Sequence, residues 1–242
     1  MTVLLLRLAG PLQSWGDSSR FSRRDTRTEP TKSGVLGLLA AAAGRRRTDP
    51  IEDLVGLRFG VRVDQPGRVV RDFQTAINWT TDERMPLSER YYLSDAAFLA
   101  GVEGEASLVS ALASALDDPV YPLYLGRRSC PTEGRVCLGL RDMTLEQALR
   151  EEAWLAASWH RRSLGRDVEL ELLVDDDGTT GRAAETRRDV PMSFDPVRRE
   201  YGWREVVRLD WVPIVNDEGR QTKVGAGAST GSPDFMATVE AS

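Results

Sequence analysis

The chain has 242 residues, 41% hydrophobic and 29% charged, a balance that suits one large soluble domain or two small ones. Two cysteines, Cys130 and Cys137, and one histidine, His160, exclude a disulfide framework and a zinc site of the usual ligand spacings, and they fit a reducing cytoplasmic compartment. The net charge of −5 is unevenly spread: residues 1–50 hold nine Arg/Lys against four Asp/Glu, whereas residues 143–242 hold thirteen against nineteen. Lys32 and Lys223 are the only lysines, so the basic front end is almost entirely arginine, whose planar fork suits phosphate and stacks on bases.

In chain order, Thr2–Leu8 reads as a short buried strand ended by Gly10-Pro11. The apolar run Val3–Leu6 is too short for a signal peptide, and no stretch approaches membrane-spanning length. Asp17–Thr28 is polar and arginine-rich and reads as a loop. Pro30-Thr31 opens a helix that Gly44 closes, apolar on nearly all faces and therefore buried. Leu57–Val63 and Val69–Ala76 read as strands with a turn at Gln65-Pro66-Gly67, and Tyr91–Val102 as one further strand. Ala106–Pro119 is an amphipathic helix and Val136–Leu140 a short strand. This β-α-β-β-α-β order predicts an α+β, ferredoxin-like (RRM-like) domain over residues 1–142, with a hairpin over about 70–95 projecting from its middle. Leu145–Ala157 reads as a helix, Asp167–Val174 as a strand and Asp175–Gly178 as a turn. Arg187–Arg208 reads as part of a small β-rich second region spanning 143–208. Residues 209–242 read as a flexible tail.

Few motifs carry chemistry. "PTKSG" at Pro30–Gly34 resembles the end of a phosphate loop, but the glycines that motif needs before its Lys are missing. What survives is a candidate anion site of Thr31, Lys32, Ser33 and the free N–H groups of a helix start. "GAGASTG" at Gly225–Gly231 lies in the polar tail and reads as linker. No nucleophile–base pair is visible, and no catalytic residue, metal ligand or cofactor is assigned. Arg20, Arg23, Arg24 and Arg27 crowd the first loop, and Arg127, Arg128 and Ser129 follow Gly126 in another. Together these sets could line one groove along a phosphate backbone, with Trp15 and the tyrosines as stacking surfaces for single-stranded RNA. The alternative is a metal-independent endoribonuclease using His160 with Tyr91, Tyr92 or Lys32.

Six blocks in this order, "LRLAGPLQSWG", "PTKSGVLGLL", "RDFQTA", "YYLSDAAF", "YLGRRSCP" and "RRDVPMSF", resemble the CasD family, subunits of the type I-E CRISPR surveillance complex Cascade. The resemblance covers roughly residues 1–208. It implies a RAMP-type ferredoxin-like domain with a thumb hairpin that caps one end of the complex's backbone and grips the 5′ handle of crRNA. The implied partners are the handle, the adjacent backbone subunit, the large PAM-reading subunit and, through the complex, target DNA. On this basis Gln13, Ser14 and Trp15 are expected against handle nucleotides. Arg20, Arg23, Arg24, Thr31, Lys32, Ser33, Arg127, Arg128 and Ser129 are expected on sugar and phosphate, and Asn78, Trp79, Arg84 and Met85 at the thumb.

Overall fold

The computed structural model describes residues 1–16, 23–179 and 181–220. Its strands are β1 (Thr2–Ala9), β2 (Leu12–Gln13), β3 (Arg23–Arg24), β4 (Arg58–Gln65), β5 (Arg68–Gln74), β6 (Ser88–Ser94), β7 (Ala97–Gly104), β8 (Cys137–Arg141), β9 (Asp167–Asp175), β10 (Ala184–Ser193), β11 (Glu200–Arg208) and β12 (Val212–Val215). Its helices are α1 (Lys32–Ala42), α2 (Glu52–Val55), α3 (Ala106–Asp117), α4 (Leu145–Glu151) and α5 (Ser158–Ser163).

β1 is apolar throughout because it is covered on both sides. Leu4, Leu6 and Leu8 pack with α1 and α3, whereas Val3 and Leu5 pack with Leu145, Ala148 and Leu149 of α4. Around β1 the strand order is β8-β1-β7-β4, every neighbour antiparallel, with α1 and α3 on one face. This is the expected split β-α-β-β-α-β arrangement. The opposite face, which a generic RNA-recognition domain leaves open for bases, lies under α4 and Trp154.

Three expectations are corrected by the pairing. Arg187–Arg208 does not make a second sheet: β9 joins the edge of β4, β11 joins β9 and β10 joins β11, so no break in the sheet follows residue 142. The segment after Leu209 is not all tail, because β12 pairs with β9 from Val212↔Leu170 to Val215↔Asp167; residues 221–242 lie outside the described residues. Tyr91–Val102 is two strands. Asp95 adopts φ 54 and breaks the run, so β7 stays in the main sheet while β6 leaves it to pair with β5, β2 and β3.

The predicted helix Leu145–Ala157 stops at Glu151 for an electrostatic reason. The fully buried Arg62 guanidinium donates to the carbonyls of Leu149 (2.7 Å), Glu152 (2.7 Å) and Ala153 (2.9 Å), taking the orphan acceptors of the helix end. Asp64 pairs with the same guanidinium at 2.7 and 2.9 Å, and its Oδ2 accepts the Leu155 N–H at 2.6 Å. The chain after α4 is thereby strapped to the sheet.

A second buried network ties α1 to the C-terminal strands. Asp175 Oδ2 accepts from Lys32 Nζ (2.9 Å) and from the Phe59 N–H (3.0 Å), and Asp175 Oδ1 accepts from Arg204. Asp189 accepts from Arg204 Nε at 2.6 Å and Nη2 at 2.8 Å, and from the Lys32 backbone N–H at 2.9 Å. Arg187 beside it pairs with Glu29. This explains "RRDVPMSF" without a ligand: its Arg and Asp are the partners of the α1 entry.

Burial disfavours ionised Asp189, yet the Arg204 guanidinium and the Lys32 N–H together hold its carboxyl below the usual carboxylate range. Removing one partner strands the others, so Asp189→Ala is expected to lose about 3–5 kcal/mol in urea unfolding at pH 7. The folded pKa lies below the unfolded value of about 3.9. The Asp189 contribution is therefore complete above that value and is lost as pH falls through the folded pKa, so the wild-type advantage over Asp189→Ala should shrink only below about pH 4.

Candidate nucleic-acid interface

In the turn "AGPLQSWG", Pro11 and Gly16 are exposed but Gln13, Ser14 and Trp15 face into the protein. Gln13 and Trp15 are fully buried and Ser14 nearly so. Gln13 Nε2 donates to the carbonyls of Leu8 (3.2 Å) and Ala96 (2.7 Å), and its Oε1 accepts the Trp15 indole N–H at 3.0 Å. The Trp15 ring lies on α1 where residue 34 has no side chain; a Cβ there would sit 2.7 Å from the ring. Ser14 N–H donates to Leu125 O at 3.0 Å and its hydroxyl to Tyr91 O at 3.3 Å. Gly126 faces this seam with φ +85, and a Cβ on it would fall 1.7 Å from Ser14 O. The expectation that Gln13, Ser14 and Trp15 contact RNA is corrected: buried polar groups need partners, and these have found theirs in the protein.

The anion site at Thr31, Lys32 and Ser33 is corrected for a related reason. The start of α1 does bind an anion, but the anion is Asp189. Thr31 is the N-cap, accepting the Gly34 N–H at 3.3 Å and the Ser33 hydroxyl at 3.4 Å, and all three side chains are buried. Lys32 is held by Asp175. Arg45–Arg47 follow the other end of α1, where Arg45 pairs with Asp53.

The arginines of the two loops do converge, on β6. β3 runs parallel to β6, with Arg23 opposite Glu89 and Arg24 opposite Arg90. Arg127 crosses from the other loop, donating to Arg24 O at 2.9 Å and Tyr91 O at 3.2 Å, with its guanidinium 4.6 Å above the Tyr92 ring. Arg23 lies 5.1 Å over the Tyr91 ring and pairs with Asp25 at 2.9 Å. Arg24, Arg128 and Ser129 point to solvent, so the seam presents arginine heads on a stitched backbone; Arg20 lies outside the described residues. The Cys130 thiol beneath the loop is buried and pushed up in pKa by that burial, which keeps it protonated and inert.

The hairpin β5–β6 lies where the thumb is expected. Its tip is folded by Asn78 N–H to Glu83 O (2.9 Å) and Met85 N–H to Ala76 O (2.8 Å), with a bridge between Ile77 and Arg84. Asn78, Trp79, Arg84 and Met85 are exposed, Trp79 completely. The sequence reading missed Arg71 and Phe73 on β5, where the Arg71 guanidinium lies 4.8 Å from the Phe73 ring and both are exposed. The i, i+2 spacing in "RDF" was the available signal, since it puts both on one strand face.

The endoribonuclease grouping is not assembled. Lys32 is consumed by Asp175, and His160 sits in α5 edge-on to Trp159, ring centroids 5.6 Å apart, its pKa lowered by burial. Among the described residues no three His, Cys, Asp or Glu side chains are grouped to hold a metal, and no helix is long and apolar enough to cross a membrane.

Gly126→Ala tests the seam. Its positive φ alone costs about 1–3 kcal/mol in a residue with a Cβ, and the clash with Ser14 O adds to it. The expected outcome is a lower urea midpoint together with weaker RNA binding, whereas Arg128→Ala should weaken RNA binding at an unchanged midpoint.

Residues 3–207 match the family model described as CRISPR-associated protein (Cas_Cas5). The chain is 34% identical over 225 residues to the "CRISPR system Cascade subunit CasD" of Escherichia coli, covering 84% of this chain and 94% of that one. It is similar to a solved "Cas protein" at 39% identity and TM-score 0.67, covering 90% and 97% of the two chains. It is also similar to a chain of a "CRISPR RNA-guided surveillance complex" at 33% identity and TM-score 0.71, covering 87% and 91%. With the family model spanning residues 3–207 and a relative 34% identical over 84% of the chain, the chain belongs to the CasD family of CRISPR-associated Cas5 proteins.

Proposed function

We propose that this chain is a non-catalytic RNA-binding assembly subunit of a cytoplasmic CRISPR RNA-guided complex, and that it grips the 5′ handle of crRNA along the seam between residues 23–28 and 126–129. The observation that carries the reading is the convergence of Arg23 and Arg24 with Arg127 on β6. Arg127 closes the seam with its two carbonyl contacts and so acts by positioning. The exposed Arg24 and Arg128 supply charge for phosphates, beside the Arg23 guanidinium stacked on the Tyr91 ring. The apolar thumb tip, with Ile77, Trp79, Met85 and Leu87 all at least half exposed, fits contact with an adjacent backbone subunit. The large PAM-reading subunit docks beside it, and target DNA is reached only through the assembled complex. The E. coli relative's name as a Cascade subunit supports this assignment.

Because each phosphate contact to a single strand contributes about 0.7 to the slope of log K against log salt, the Arg24→Ala, Arg128→Ala double variant should flatten that slope by about 1.4 and weaken handle binding. Fluorescence anisotropy with a labelled handle RNA across a salt series measures both, and an unchanged slope contradicts the assignment.

A further inference from the structure

On the strapped face of the sheet, a cavity of about 310 Å³ opens between residues 150–154 and the end of β12, with Trp154 and Ile214 among its apolar lining. Its volume falls in the range of small-ligand and side-chain pockets. Four carboxylates line it against two guanidiniums, and both guanidiniums are engaged. Arg161 lies 5.1 Å from the Trp154 ring and donates to Ala156 O at 2.8 Å, while Arg150 donates to Asp210 O at 3.1 Å. Two of the carboxylates are also satisfied, Glu152 by Arg141 at 2.6 Å and Glu218 by Arg162 at 3.4 Å. The remaining two, Glu151 and Asp217, are exposed and have no hydrogen bond or ion pair from their side chains among the described residues. The flanking elements carry Trp159, Trp211 and Val215, which are 59%, 48% and 63% exposed.

We infer that this cavity is a docking pocket for an arginine side chain of a partner protein. The apolar lining accepts an aliphatic stem, while the unpaired Glu151 and Asp217 match a guanidinium. Arginine fits better than lysine because its planar head pairs bidentately and sheds water more readily. Trp and Arg are the residue types that dominate protein–protein hot spots, and Trp154 lines this cavity while Trp159 and Trp211 are exposed on the neighbouring segments. The net negative lining repels RNA, so this face and the β6 seam serve different partners. The inference rests on the assembly reading only in taking the partner from the same complex.

The probe is L-argininamide, titrated into the full chain while the Trp154 indole N–H is followed by NMR. A saturable shift is expected, at least fivefold weaker with L-citrullinamide, which keeps the α-amino group but has an uncharged side chain, and at least fivefold weaker in the Glu151→Gln, Asp217→Asn variant. Equal responses to the guanidinium and ureido probes, or an unaffected variant, overturn the pocket. In the co-expressed complex, Glu151→Arg with Asp217→Arg should lower retention of a protein neighbour at least fivefold with handle RNA affinity unchanged; full retention overturns it. Handle affinity is read separately, so failure here is distinguishable from failure of the RNA assignment.

Discussion

Two backbone segments, Ser14 and Leu125–Gly126, meet so closely that Gly126 has no room for a Cβ. Everything at the basic face depends on that approach. It fixes the 126–129 loop against the N-terminal turn, which lets Arg127 reach across to the carbonyls of Tyr91 and Arg24. The hydrogen bonds along this route are modest singly, each worth about 0.5–1.5 kcal/mol net, or somewhat more from a charged donor. Their joint effect is to hold two connecting segments and a thumb strand in one geometry. A ligand that meets a preformed arginine surface does not have to order it on binding.

The two buried charge networks serve the same end from behind. Lys32, Asp175, Asp189 and Arg204 lock the start of α1 to the strands that extend the sheet. Arg62 and Asp64 lock the 149–157 segment over the opposite face. Ion pairs of this kind are weak evidence for stability, since their desolvation offsets much of their attraction. They do impose register: each side chain has several fixed partners, and a slipped strand would leave charges buried alone. The C-terminal half is therefore part of the scaffold that presents the basic seam.

The split β-α-β-β-α-β core was legible because its signals are local: the doubly covered β1, the Pro30–Gly44 helix frame and the amphipathic Ala106–Asp117. The strand break at Asp95 was not, since alternation persists through a turn that only a change of sheet reveals. The end of α4 was hidden because its cause, Arg62, lies 87 residues away in sequence from Leu149. At the candidate site, residue types misled where burial decided. Gln13, Trp15 and Lys32 look like ligand-binding residues, yet each is consumed inside the fold, and the carboxylate that satisfies the start of α1 lies 157 residues away. The exposed arginines were legible as a set because two runs in polar loops need no tertiary information to stay at the surface.

Photo-crosslinking with a handle RNA carrying 4-thiouridine, followed by mass spectrometry of the adducts, tests the central claim most directly. The account predicts adducts within residues 23–28, 88–92 and 126–129. Adducts at Trp15 or Lys32, with none at those three segments, would contradict it.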